Sequence, residues 1–300
     1  MENKKIILIT GTSSGFGQLT AKALAEQGHK VYASMRDTAT KNKESAQDLQ
    51  TWAEEKNLFL NIIEIDLKSE DSIQKAVDKI LEEEGTIDIL INNAGSGALG
   101  LQENFTAQDW QQIFDVNVFG VQRMNRAVLP HMREKQQGLI IYVSSLLGRI
   151  VMPTYGPYTA SKWALESLAE TYRVELSQFG IQSCIVEPGA FPTTFMDKLL
   201  RASDKSRNES YAEFASVPEQ SLENLQTTLA TNPAQNPNIV AEAILNLIQM
   251  PVQERPFRTT VDNTGLGANI KPYNEELEKI MTKMYTAFHM GTLLKLKEEK

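Results

Sequence analysis

Lys5-Ile-Ile-Leu-Ile-Thr10-Gly11-Thr12-Ser13-Ser14-Gly15-Phe16-Gly17 sets an apolar run directly against a glycine-rich loop, and a helical pattern opens at Gly17. Glycines in such a loop let the backbone approach a pyrophosphate. The helix N-terminus that follows offers unbonded N–H groups and the positive end of its dipole. A glycine-rich loop alone marks only a tight turn. Placed between a strand and a helix, it reads as a dinucleotide-binding turn.

Outward from this loop, short aliphatic runs alternate with helix-length segments. Lys5–Thr10, Lys30–Met35, Phe59–Ile65, Ile87–Ile91, Gly138–Ser144 and Ile181–Glu187 are near-continuous apolar runs, as expected of strands in a parallel sheet covered on both faces. Helices are predicted over Gly17–Gln27, Ala39–Lys56, Ser69–Glu84, Thr106–Lys135 and Tyr155–Phe179, and Gly28, Gly85 and Gly180 follow three of them as C-terminal caps. This alternation implies right-handed crossovers and an α/β fold: a Rossmann-type, doubly wound parallel sheet with helices on both faces. After Glu187, Pro188-Gly189 opens a polar stretch expected to be irregular as far as Pro237, with a helix over Ile239–Ile248 and a last strand over Phe257–Val261. The expected organisation is one domain, with a cofactor-binding and catalytic core over 1–190 and a substrate lobe with C-terminal helices over 191–300.

The net charge of −8 argues against a nucleic-acid surface, which needs clustered Lys and Arg. Cys184 is the only cysteine, so no internal disulfide forms, and its apolar surroundings make it a packing residue. Met1–Lys5 is followed by the apolar run Ile6–Ile9, which is too short for a signal peptide and runs straight into the glycine-rich loop. No run reaches the roughly 18 apolar residues of a membrane helix. A soluble, cytoplasmic protein is expected, with the sequons at Asn104 and Asn208 as chance matches. His29, His131 and His289 show no metal-ligand spacing, and no metal is expected.

The end of the second strand distinguishes the two nicotinamide cofactors. A carboxylate there holds the ribose 2′-OH of NAD, whereas an arginine accepts the 2′-phosphate of NADP. The strand ends Ser34-Met35-Arg36-Asp37, so Met35 stands where the acid would be and Arg36 follows it. NADP(H) is the favoured cofactor and NAD(H) the alternative, since Asp37 stands within reach of a ribose.

Tyr158 and Lys162 are four residues apart and therefore share a helix face. Ser145 lies thirteen residues before Tyr158 at a strand end, and Asn117 lies in the preceding long helix. Together with Thr10-Gly11-xxx-Gly15-x-Gly17, Asn92-Asn93-Ala94-Gly95 and Pro188-Gly189, these motifs closely resemble the short-chain dehydrogenase/reductase family, in its order and spacing, over residues 5 to 194. The resemblance implies roles by position. Tyr158 would be general acid in reduction and base in oxidation, and Lys162 would hold the nicotinamide ribose and lower the tyrosine's pKa. Ser145 would bind the substrate oxygen, and Asn117 would hold a water that links Lys162 to solvent. Gly11, Ser13, Ser14, Gly15, Phe16, Gly17, Arg36, Asp66, Leu67, Asn93, Ala94 and Gly95 would line the cofactor, joined at the nicotinamide by Pro188, Gly189 and Thr193. Asp66 would sit at the adenine end. Family members of this kind commonly pair through the helices bearing Asn117 and Tyr158, which implies a homodimer or homotetramer.

The implied reaction is NADP(H)-dependent interconversion of a carbonyl and an alcohol. The loops 96–101 and 146–155, with Phe191 and Phe195, are mostly apolar and favour an apolar ketone, aldehyde or alcohol as the small-molecule substrate. Arg149 in the second loop reads as solvated or as an anchor for an acidic substrate group. Tyr155 reads as a pocket wall or helix start, and Trp52, Trp110 and Trp163 as packing. Leu277, Ile280, Met281, Met284, Tyr285 and Phe288 recur at helical spacing. They read as a surface helix with one face on the core or, alternatively, as a face closing a pocket or subunit contact. The alternative function is a redox sensor that binds NADP(H) with vestigial catalysis, against which the intact Asn117, Ser145, Tyr158 and Lys162 count.

Overall fold

The computed structural model describes residues 4–297. Met1–Asn3, on which the reading of the N-terminus partly rests, and the last three residues lie outside the described residues. The elements are β1 (Ile6–Thr10), α1 (Gly15–Glu26), β2 (Lys30–Met35), α2 (Lys43–Glu55), β3 (Leu60–Glu64), α3 (Glu70–Glu84), β4 (Ile89–Asn92), β5 (Ala98–Leu99), α4 (Ala107–Phe114), α5 (Val121–Lys135) and β6 (Gly138–Val143). They continue with α6 (Gly156–Leu176), β7 (Ile181–Pro188), β8 (Leu200–Arg201), α7 (Val217–Ala230), α8 (Asn238–Gln249), β9 (Arg258–Val261) and α9 (Leu266–Ala287).

Seven strands form one parallel sheet in the order β3-β2-β1-β4-β6-β7-β9, the doubly wound arrangement expected from the sequence. The central strands are buried on both faces, which is why they are aliphatic throughout rather than alternating. One face carries α1, α2 and α8, with Leu24, Leu49, Val240 and Ile244 packed on Ile7, Ile9 and Val186. The other carries α3, α5 and α6, with Ile80, Val128 and Leu165 packed on Leu8, Leu90 and Ile140. Gly28, Gly85 and Gly180 take positive φ (82°, 70° and 66°) at helix ends, as caps do. Cys184 is buried in the first of these layers.

The helix expected over Thr106–Lys135 is interrupted by a π-helical turn at Asp115–Gly120. The chain keeps near-helical periodicity through it, so the sequence pattern does not show it. Such turns occur mostly at functional sites. The stretch to Pro237 is not irregular throughout: it contains α7, with Pro218 in its first turn and Leu222 and Leu229 buried at helical spacing. Proline at a helix start is favoured, and this signal was available in the sequence. The chain leaves the sheet after β7 and returns to it, because α8 packs against α1 and β9 pairs with β7. β5 and β8 form a separate two-stranded parallel ladder that ties the segment after residue 190 to the loop following β4. No helix among the described residues is long and apolar enough to cross a membrane.

Candidate active site

The loop after β1 is held by side chains that neighbour it in space. Thr12 is fully buried and donates from N and Oγ1 to Ser34 O (3.0 and 3.1 Å), fixing the loop to the end of β2. The Asn93 amide donates to the carbonyls of Thr10 and Gly11 (2.8 and 3.0 Å), and Thr10 Oγ1 accepts the N–H groups of Asn93 and Ala94 (both 3.0 Å). The fit leaves no room for side chains. A Cβ on Gly17 would stand 2.3 Å from Gly11 O, and one on Gly11 (φ +74°) would stand 2.7 Å from Ala94 Cα. A Cβ on Gly15 would meet nothing closer than Thr193 at 3.8 Å, so this glycine opens toward the cleft.

That cleft has a volume of about 530 Å³. One end is lined by Ser13, Ser14, Gly15, Phe16, Arg36, Lys41 and Asp66, and the middle by Leu67, Asn93, Ala94 and Gly95. The other end holds Ser145, Tyr158, Lys162, Pro188, Gly189 and Thr193. Gly17 lies behind the loop as a packing position. A long groove that runs from a glycine-lined helix start to a strand end, with cations near the end of β2, fits a phosphate-linked dinucleotide. Arg36 and Asp37 lie 3.6 Å apart, both half exposed at the rim.

At the far end, Ser145 is in extended backbone at the end of β6, and its hydroxyl lies within hydrogen-bonding reach of Tyr158. Ser144 instead faces Glu166, which separates the two serines as the spacing to Tyr158 implied. Burial raises the Tyr158 phenol to a pKa of about 12 against the lowering effect of Ser145. Burial also lowers Lys162 to about 8, opposed by the charge of Glu166 one turn further on. Lys162 Nζ lies 5.8 Å from the Tyr158 ring centre and donates to Val143 O at 2.8 Å. The expectation that Lys162 lowers the tyrosine's pKa is therefore not met by direct contact in this state: desolvation dominates both groups. At pH 7 the pair is a neutral phenol and an ammonium.

Asn117 sits in the π-turn with its side chain fully occupied. Its Oδ1 accepts Ser96 N–H (2.7 Å), and its Nδ2 donates to Ser96 O (2.8 Å) and Ser161 Oγ (2.9 Å). Tyr155 precedes α6 and also lines the cleft, so both readings of it apply.

Apolar side chains enclose the space beyond Tyr158: Leu147, Ile150, Met152, Phe195, Leu199 and Leu225. The Phe195 ring packs on Tyr158 with centres 5.6 Å apart. Arg149, expected to be solvated or to anchor a substrate, is neither. It is buried beneath the site, donating to Asn274 Oδ1 at 2.7 Å and facing Glu187 at 4.0 Å and the Tyr273 ring. Arg258 joins this cluster, 3.1 Å from Glu166 and 3.4 Å from both Glu170 and Glu187. Burial raises the carboxyls of Glu166 and Glu187, Glu166 to about 7. The sequence reading missed Glu166, Glu187, Arg258 and Asn274, whose partners are separated by up to 125 positions along the chain. Trp163, read as packing, is 39% exposed on α6, while Trp52 and Trp110 pack against core clusters. On α9, Ile280, Met284 and Phe288 face outward rather than toward the core. No cluster of three or more potential metal ligands occurs among the described residues.

A family profile described as short chain dehydrogenase matches residues 5–205. The chain is 39% identical over 209 residues to a 3-ketodihydrosphingosine reductase of Bacteroides thetaiotaomicron, covering 70% of this chain and 72% of that one. It is 33% identical over 282 residues to human retinol dehydrogenase 8, covering 87% and 86%. Among solved structures it superposes on a short-chain dehydrogenase from Streptomyces avermitilis with a TM-score of 0.75, at 27% identity and 97% and 99% coverage. An actinorhodin polyketide ketoreductase variant solved with NADPH gives a TM-score of 0.73, at 25% identity and 89% and 98% coverage.

Proposed function

We propose, starting from the fact that this chain belongs to the short-chain dehydrogenase family, that it is an NADP(H)-dependent reductase of an apolar ketone or aldehyde, or a dehydrogenase of the matching alcohol. One observation carries this reading: the Tyr158 hydroxyl, partnered by Ser145, opens into the same cleft as the glycine-rich loop, with Lys162 beside it. NADP(H) is favoured over NAD(H) because Arg36 and Lys41 line the cleft at the end of β2, where Met35 replaces a ribose-binding acid. The names of the two relatives, for 3-ketodihydrosphingosine and retinol, support a lipophilic substrate, as do the apolar walls beyond Tyr158.

NADPH, when bound, supplies the hydride. The residues of this chain do the rest. Ser145 and Tyr158 orient the substrate oxygen. Tyr158 Oη would give its proton to the substrate oxygen as that oxygen gains negative charge in the reduction, and would take it back in the oxidation. Lys162, protonated below its pKa of about 8, faces the tyrosine ring and favours the phenolate that forms. Asn117 fixes the loop at Ser96 and reaches Ser161, one residue before Lys162, through its side chain. Gly11, Ser13, Ser14, Gly15, Phe16 and Thr193 would hold the phosphates and nicotinamide, and Asp66 the adenine end.

Purified protein mixed with NADPH and a panel of lipophilic ketones and aldehydes tests the reading by loss of nicotinamide absorbance. Tyr158→Phe should lower turnover by about 10²–10⁴-fold while leaving NADPH affinity unchanged. Turnover that survives the substitution would remove Tyr158 from the mechanism. Arg36→Ala should narrow the preference for NADPH over NADH, and an unchanged ratio would refute the NADP(H) assignment.

We also propose a homo-oligomer built on the helices carrying Asn117 and Tyr158, supported by Phe119 and Trp163, which are 52% and 39% exposed there. A monomer mass by light scattering at micromolar concentration would overturn this. A cytoplasmic location is proposed as well, and recovery of the protein in the membrane fraction of lysed cells would contradict it.

A further inference from the structure

Ser144 and Ser145 are neighbours at the end of β6, and only Ser145 reaches Tyr158. Ser144 turns the other way, into the buried floor, where its hydroxyl faces the Glu166 carboxyl. Both residues are more than nine-tenths buried. Neither Ser144 Oγ nor Glu166 Oε1 has another hydrogen-bond partner among the described residues, and a buried polar atom left alone is costly. The two atoms converge on Gly148. A Cβ there would stand 2.7 Å from Ser144 Oγ and 3.0 Å from Glu166 Oε1.

The second carboxyl oxygen of Glu166 is already taken. Oε2 lies 3.1 Å from Arg258 Nε, and the same nitrogen stands 3.4 Å from Glu187 Oε1. Two buried carboxyls that share one guanidinium repel each other, so one of them favours a proton. Oε1 is the oxygen of Glu166 free to carry it, with Ser144 Oγ in front of it as acceptor. The charged groups around Glu166 are Lys162 and Glu170 on α6, Arg149 beyond the turn, Glu187 on β7 and Arg258 on β9. Arg149 Nη2 and Arg258 Nη2 have no hydrogen-bond partner among the described residues. An ionised Glu166 would turn Oε1 to these donors and release Ser144.

Ser144 leads directly into the turn that aims Ser145. Gly148 N–H donates to Ser145 O at 2.8 Å, and Leu147 N–H donates to Ser145 Oγ at 3.1 Å, which fixes the direction of that hydroxyl. Glu166 is not part of the cleft lining, so its influence on the reacting groups runs through Ser144 and this turn.

We propose that Glu166 is a positioning residue for the reaction: as the neutral acid it bonds Ser144 Oγ, holds the turn 145–148 in place, and so keeps the Ser145 hydroxyl aligned with Tyr158. This rests on the reading above of Ser145 and Tyr158 as the groups that meet the substrate oxygen.

The test is a double-mutant cycle in kcat, with NADPH and whichever ketone or aldehyde of the lipophilic panel the wild type reduces fastest. Ser144→Ala and Glu166→Leu should each lower kcat by about tenfold, the scale of one buried hydrogen bond, with NADPH affinity unchanged in calorimetric titration. Together they should cost no more than either alone. Glu166→Gln offers an acceptor to Arg258 and a donor to Ser144, as the neutral acid does, and should retain kcat. In the ratio of wild-type kcat to that of Glu166→Gln, the titrations of Lys162 and Tyr158 cancel. That ratio should be steady at low pH and fall as pH rises through about 7. Effects of Ser144→Ala and Glu166→Leu that multiply, or a ratio that stays flat across this range, would overturn the proposal. If Glu166→Leu does not fold, wild-type kcat in Ser144→Ala would overturn it equally. Ser145→Ala, run alongside, separates the two readings. Turnover that survives it, or a wild type that reduces no carbonyl of the panel, overturns the reading of the site and this role with it. Loss of turnover in Ser145→Ala together with independent effects at Ser144 and Glu166 overturns the positioning role alone.

Discussion

The glycine-rich loop lines one side of the cleft and part of 193–199 the other, and the chain that runs on from there to Ser216 is built in the opposite way to the loop. In the loop, Thr12, Thr10 and Asn93 fix the backbone from three directions, and a Cβ added at Gly11 or Gly17 would collide with the main chain. Further along that segment, the 3₁₀ stretch Asn208–Ser216 buries no residue, and Ala212 takes a positive φ of 47° within it. Its ties to the body are polar and few, such as Asn104 Nδ2 to Asn208 and Tyr211 Oη to Glu103. The difference follows from what each must bind. A dinucleotide offers the same phosphates every time, so rigidity there removes ordering cost. A substrate wall that must admit and release a ligand needs low local stability.

Three substitutions sharpen this contrast, and the largest effect lies beneath both regions. Arg258→Met leaves Glu166 and Glu187 buried without their nearer shared cation, with only Arg149 remaining, and should lower stability by about 3–5 kcal/mol at pH 8. The sign of the pH dependence is fixed by the raised carboxyls. A carboxyl whose folded pKa exceeds its unfolded value contributes stability that is present below the unfolded pKa and lost as pH rises through the folded one. For Glu166 that window ends near 7, and removal of Arg258 extends it upward. Denaturant midpoints should therefore show a smaller deficit at pH 5 than at pH 8, and a pH-independent deficit would rule this account out.

Gly17→Ala attacks the rigid side. Its Cβ would meet Gly11 O and the Asn93 amide, so the loop must shift, and affinity for NADPH should fall by about 100-fold in direct titration, roughly two lost charge-assisted contacts. Unchanged affinity would show the loop to be less constrained than its packing implies. Phe195→Ala attacks the other side. It should raise KM for an apolar substrate by about tenfold or less, the scale of lost apolar contact, while moving Tm by no more than about 2 °C. A large fall in Tm would make Phe195 a core residue rather than a wall.

The same division governs what the sequence reveals. The six expected strands of the core and its helices are legible because burial on both faces leaves continuous aliphatic runs such as Ile6–Ile9 and Ile140–Val143. The site residues that lie at strand ends and helix starts are legible too, since Gly11, Ser145 and Pro188 keep fixed places relative to those runs. The π-turn at Asn117 is not, because one extra residue in a turn barely disturbs hydrophobic spacing. α7 is obscured by its polar composition and the prolines around it, although Pro218 at its start and Leu222, Leu225 and Leu229 at helical spacing signal it. The charged cluster of Arg149, Glu166, Glu187 and Arg258 is invisible for another reason: each member looks like an ordinary surface charge until the fold removes water from all of them.

Asn274 on α9 donates to Glu187 at 2.8 and 3.1 Å while accepting from Arg149, so one neutral side chain of the C-terminal helix sits between two charges of the catalytic floor. Anyone who exchanges this tail for that of another protein to change substrate preference is therefore also editing the electrostatics under the lysine. A chimera that keeps the tail's shape but drops Asn274 would leave Arg149 and Glu187 each short of a hydrogen bond inside a buried cluster.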